Sequence, residues 1–189
     1  TTASNNTALG YFALKANTTG ANNVAVGSSA LAVNTTAATN TAIGNASMLA
    51  TTTGGGNTGV GHATLYSNTT GTNNVAMGSN ALQNNTTVSN NVAIGYFAMV
   101  ANTTGTQNTA VGSLALDANT TGNYNTALGM NALTANTTAD NNTAVGRDTL
   151  KANTEGYGNT AVGQSALLTN ATHDKNTAVG FEALKTSVG

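Results

Sequence analysis

The stretch NTAVGSLALDANTTG, Asn108–Gly122, decides the reading of this chain, because close variants of it follow one another from end to end. Gly stands at Gly10, Gly27, Gly44, Gly61, Gly78, Gly95, Gly112, Gly129, Gly146, Gly163 and Gly180, always at an interval of seventeen, with no insertion or deletion. Four positions before each lies an asparagine: Asn6, Asn23, Asn40, Asn57, Asn74, Asn91, Asn108, Asn125, Asn142, Asn159 and Asn176. Between the two run Thr or Val, then Ala (Gly59 is the exception), then an aliphatic residue. Leu or Met follows the glycine by four in every unit, as at Leu31, Met48 and Leu116.

A fixed period without slippage is the mark of identical units stacked along one axis. Asn108-Thr109-Ala110-Val111 alternates like a strand, with Thr109 and Val111 on one face and Asn108 and Ala110 on the other. Ser113–Ala118 carries helix formers and no turn signal, but at about six residues it predicts at most one helical turn or a 3₁₀ piece. Asn119-Thr120-Thr121-Gly122 reads as a corner or a second short strand. The expected fold is therefore all-β with short helical turns: a parallel β-solenoid of eleven seventeen-residue coils, one repeat array over residues 1–189.

Each position then has an expected task. Stacked coils bring the eleven asparagines into a ladder, each amide donating to one neighbour and accepting from the other. Asp there would stack like charges, and Gln is a methylene too long. The glycine column answers a need for positive φ or for close backbone approach. Val111 and Leu116 are expected in the core, with Ala110 and Gly112 forming a small-residue face for a neighbouring chain. One coil has too little apolar surface to fold alone, so inter-coil hydrogen bonds and an intermolecular surface are expected to contribute.

Composition removes several classes of function. Of 189 residues only 6% are charged, and the net charge is −1. Five basic residues are too few and too scattered to bind nucleic acid or an anionic membrane patch. There is no Cys, so thiolate chemistry and disulfides are excluded, and no apolar run is long enough to insert in a membrane as a helix. Disorder is rejected, since 39% of residues are hydrophobic, Pro is absent and the pattern is strict. The start at Thr1, with neither Met nor a signal peptide, reads as a mature fragment or a segment of a longer chain. The lack of atypical terminal repeats points to a continuing fibre.

No constellation carries catalysis, a cofactor or a metal. Gly54, Gly56 and Gly59 fit G-x-G-x-x-G, but they read as a drifted corner of the repeat, without the full helix and spaced acidic residue a dinucleotide site needs. His62 and His173 lie about six and a half coils apart, roughly 30 Å at one strand spacing per coil, too far to cooperate. The six acidic residues occupy variable positions and form no recurring pair. Tyr11-Phe12 and Tyr96-Phe97 share unit positions, either as packing residues or as platforms for sugar rings. Sequons occur at Asn17, Asn34, Asn68, Asn85, Asn102, Asn119, Asn136 and Asn170, candidates for glycosylation if not simply products of composition. Rows such as Thr18, Thr35, Thr52 and Thr69 raise an ice-binding face as another use of regular threonines.

The unit resembles the NTAVG- or NVAIG-type head repeats of YadA-like trimeric autotransporter adhesins. It resembles more closely the NTAVGxxALxxNTTGxxN arrays of phage tail fibres and surface fibres that often end in an endosialidase-type chaperone domain. The similarity covers essentially the whole chain, although the coil is longer than the adhesin head coil. The resemblance implies a homotrimeric or end-to-end stacked fibre on a cell or virion surface, non-enzymatic, presenting a receptor-binding tip. The alternative is a module binding surface glycans or ice through its repeated face.

Overall fold

The structure, a computed structural model, describes residues 2–186. Its regular elements are eleven three-residue strands, among them β1 (Thr7–Leu9), β4 (Thr58–Val60), β7 (Thr109–Val111), β8 (Thr126–Leu128) and β11 (Thr177–Val179). They form one sheet in chain order. Each strand pairs in parallel with its copy one period further on, so that Thr109, Ala110 and Val111 stand beside Thr126, Ala127 and Leu128. The protein is a parallel β-solenoid, all-β, whose coils rise by one strand spacing, about 4.8 Å, per turn.

Hydrogen bonds between coils are not confined to the sheet. In the seventh coil Thr109 N–H reaches Asn125 O at 2.8 Å, Gly112 N–H reaches Ile94 O at 2.7 Å, and Thr120 N–H reaches Thr137 O at 2.9 Å. The backbone is thereby satisfied around most of the circumference, as a narrow buried interior requires.

The expected helical turn is absent; no helix occurs among the described residues. Tight turns replace it, closed by Ala115 N–H to Gly112 O at 3.3 Å and Asn119 N–H to Leu116 O at 3.2 Å. Leu114 (φ 56°) and Leu116 (φ 54°) are both left-handed, which no α-helix tolerates. The alternation has a purpose in the stack. It turns Leu114 N–H back to Tyr96 O and Leu116 N–H forward to Ala132 O, each at 3.0 Å. Three positions per coil are left-handed in this way, with φ from 47° to 72°: the residue before the ladder asparagine, the second after the glycine, and the Leu or Met. Left-handed conformation costs an L-residue roughly 1–2 kcal/mol. Inter-coil bonds and burial of the leucine offset that strain.

The strand faces inward the opposite way from the expectation. Ala110 is fully buried, as is almost every alanine of its column, whereas Val111 and Thr109 point outward and stay half-buried. The core is the Ala column, the Leu/Met column (Leu31, Met48 and Leu116 among them) and the small residues just before it. Val111 is therefore not core, and Ala110 is no external contact face. The reason is volume: two asparagine rows share the interior, and a β-branched side chain on the strand would not fit beside them.

The glycine column sits where backbones nearly touch. A Cβ built on Gly112 (φ 139°) would lie 2.5 Å from the carbonyl carbon and oxygen of Gly129. From Gly10 to Gly163 every member meets the next coil's glycine in this way, with the nearest approach between 2.3 and 2.9 Å.

Candidate functional site: two asparagine ladders and an uncharged sheet face

The first ladder, Asn6 to Asn176, works differently from a chain of amides. Asn108 Oδ1 accepts the backbone N–H of Asn125 at 2.8 Å, and Asn108 Nδ2 donates across the coil to Gly122 O at 2.8 Å. Amide-to-amide bonds supplement this at a few rungs, as from Asn57 to Asn40 at 3.2 Å. Each side chain thus ties the next coil to its own and braces the coil's far wall. Asp would lose the donor to Gly122 O and bury a charge; Gln would overshoot both partners.

A second ladder runs through the positions that read as sequons. Asn119 Nδ2 donates to Asn102 Oδ1 at 2.9 Å and to Gly122 O at 3.0 Å. Asn136 bonds Asn119 at 3.0 Å, and Asn102 bonds Asn85 at 3.3 Å. Gly122 O therefore receives two amides, one from each ladder, and so do the equivalent carbonyls of Ala37 and Gly71. Asn34, Asn68, Asn85, Asn102, Asn119, Asn136 and Asn170 are fully buried, while Asn17 is half-buried and bonded to Gly20 O at 2.9 Å. An attached glycan would have to occupy the interior, so the folded chain presents no acceptor at the seven buried positions. Sequence reasoning missed this ladder because the asparagines were read as a corner. Their constant period was the available signal.

The rows break at a few places, and the breaks are informative. Thr51 stands where the second ladder needs Asn, and Asn34 Oδ1 is left buried without a protein hydrogen-bond partner. Gly59, the one gap in the Ala column, faces Ser47 and Thr64. A Cβ there would lie 2.8 Å from both hydroxyl oxygens. Those hydroxyls bond each other at 2.8 Å, and Ser47 Oγ donates to Gly59 O at 3.1 Å. The missing methyl makes room for a buried hydroxyl pair. Gly54, Gly56 and Gly59, the G-x-G-x-x-G match, fall respectively on a buried wall position, a left-handed position and strand β4, with no helix following.

The outward face of the sheet has two rows. Its first row is Thr or Val and its third-position row is Val, Ile, Leu or Met; Ile43 and Met77 each keep 40% of their surface exposed. No strand position of the eleven carries a charge. The corner threonines are engaged internally: Thr35 Oγ1 donates to Thr52 O at 3.2 Å and Thr120 Oγ1 to Thr137 O at 3.1 Å.

Ionisable groups lie outside these rows. His62 and His173 are both exposed and at different positions in the unit, one directly after the column glycine and the other ten residues after it. Asp148 is flanked by Lys151 Nζ at 3.0 Å and Arg147 Nε at 3.5 Å. A hydrogen bond from Asn131 Nδ2, at 2.9 Å, is the main cause holding its carboxyl below the usual value, with the two cations adding to it. Among the described residues no three His, Asp or Glu side chains are arranged to hold a metal, and no helix is long and apolar enough to cross a membrane. Tyr11 stacks on its neighbour Phe12 (centroids 3.9 Å apart), with Lys15 Nζ 4.0 Å from the Phe12 ring centre. Tyr96 and Phe97 form a tilted pair at 4.4 Å. Both tyrosines remain largely exposed.

No protein-family model, curated protein or solved structure matches the chain.

Proposed function

We propose that this chain is the repetitive shaft or head of an extracellular fibre, of the kind found in adhesins and phage tail fibres, assembled from several copies. Three is the number implied by the repeat's resemblance to trimeric adhesin heads. Its work is mechanical reach and protease resistance, with adhesion as a further role. It is not an enzyme, and it belongs on a cell or virion surface.

One observation carries the reading. The constant element of each coil is spent on holding the next coil, through two amide ladders and backbone bonds around the circumference. A scaffold built for chemistry keeps some convergent ionisable groups, whereas here the variable positions carry the charges. Negative-stain micrographs of the purified chain test the proposal. Straight particles of constant width support it; round, compact particles overturn it.

A second reading draws on the five consecutive outward threonines Thr109, Thr126, Thr143, Thr160 and Thr177. Such a row could order water as an ice-binding face or hydrogen-bond a surface glycan. Thermal hysteresis or glycan-array binding, lost on replacing these threonines, would favour it over the mechanical role.

A further inference from the structure

Resting on the fibre reading above, we propose that the outward face of the sheet is the seam along which copies of this chain join side by side. The occupant is a second copy, laid parallel, with its own Thr/Val and aliphatic rows against the first.

The face is defined by the inversion of the strand. Because Ala110 and its equivalents fill the interior, Thr109 and Val111 are sent outward in every coil. A single exposed valine is ordinary on any protein surface. An unbroken row of eleven aliphatics at strand spacing is a contiguous apolar patch. Ten steps of about 4.8 Å give a length of about 48 Å, and a strand with its immediate ends is about 15 Å wide. The product, about 700 Å² for the whole face with its threonines, approaches the ~800 Å² each partner contributes to a stable interface.

Three features select a copy of the same chain. With no charge on any strand position, identical faces meet without like-charge repulsion. The strict period lets two parallel copies match at any whole-coil offset, so register is set once and kept along the rod. The aliphatic row also varies in height, with Val60, Met77 and Ile94 in successive coils. Interdigitating side chains accommodate such variation, while a planar ice lattice does not. The small-residue seam expected at Ala110 and Gly112 is excluded, because those residues lie against the chain's own next coil.

Sedimentation equilibrium on the whole chain tests this with two variants. Val111→Asp with Ile94→Asp places like charges on the seam. Thr121→Glu adds charge at an exposed corner position where Glu155 already stands in another coil. The wild type and Thr121→Glu are expected at a multiple of 18.6 kDa, and the seam variant at 18.6 kDa with an unchanged circular dichroism spectrum. A seam variant that keeps the multiple overturns the seam but leaves the fibre reading standing. A wild type at the mass of one chain overturns both. Should the charged variant fail to fold, Val111→Cys serves instead, the native chain having no cysteine. Oxidation is expected to give a disulfide-linked pair, with none from Thr121→Cys; the reverse pattern refutes the seam.

Discussion

Replacing Thr51 with Asn should close the break in the second asparagine ladder and stabilise the protein. In the native chain Asn34 Oδ1 is buried without a protein partner, and Asn68 Nδ2 bonds only Gly71 O, at 3.1 Å. An asparagine at 51, placed as Asn119 is in its own coil, donates to Asn34 Oδ1 and to Gly54 O and accepts from Asn68 Nδ2. One bond is lost, from Thr51 Oγ1 to Asn68 O at 3.1 Å. A buried orphan acceptor costs about 1–3 kcal/mol and an ordinary hydrogen bond contributes about 1 kcal/mol. Three bonds gained against one lost give a net gain of about 2 kcal/mol. For a chain of this size each kcal/mol moves the midpoint by about 2–4 °C, so a rise of several degrees is expected. Thermal and urea melts at matched protein concentration measure it, with the urea slope unchanged if only the folded state is affected. An unchanged or lowered midpoint would refute the claim that the ladder is the unit of interior stability.

Further outcomes follow from the same geometry. Gly112→Ala, whose Cβ would lie 2.5 Å from Gly129's carbonyl, should cost more than about 3 kcal/mol or prevent folding. By contrast Gly158→Ala meets only Lys175 Cγ at 3.5 Å and should cost about 1 kcal/mol, read from paired urea melts. Thr39→Gly relieves a β-branched residue at φ 60° and should raise stability by about 1 kcal/mol in the same assay. The Asp148 carboxylate titrates below its usual 3.8, so its contribution is complete above that value and is lost as pH falls through the lower folded value. Asp148→Asn should therefore be less stable than wild type near neutrality, with the gap closing in acid beneath the usual carboxylate range in melts across pH. Secretion through a glycosylating host should yield folded protein without glycans at Asn68, Asn102 or Asn119 by mass spectrometry. Occupied and fully folded sites would contradict their burial.

Much of the fold was legible because the repeat never slips. A period of seventeen held without insertion from Gly10 to Gly180 leaves little besides parallel stacking, and Leu116 and its equivalents from Leu14 to Leu167 lie inside as their constancy suggested, with Leu184 in the last coil exposed. The strand's orientation was not legible in the same way. Thr109-Ala110-Val111 alternates correctly under either assignment, and hydrophobicity ranks Val above Ala. Volume decides instead, because two amide rows leave space only for a methyl group. Ser113–Ala118 misled for a different reason. Its residues favour a helix in isolation, but the stack needs its amides pointing along both directions of the axis, and left-handed leucines provide that. A faint signal was present in Asn5, Asn22, Asn73, Asn90, Asn141, Gly56 and Gly158. They share one column and are the residue types that most readily accept positive φ.

Mass per unit length of unstained particles, from scanning transmission electron microscopy, tests the stacked multi-chain rod most directly. One chain of 18.6 kDa rising about 4.8 Å per coil over about 48 Å carries roughly 0.4 kDa per Å. Side-by-side copies should give a whole-number multiple of that value, two or more, constant along each particle. A constant value equal to the single-chain figure would mean a lone solenoid, and particles with no constant value would contradict the rod itself.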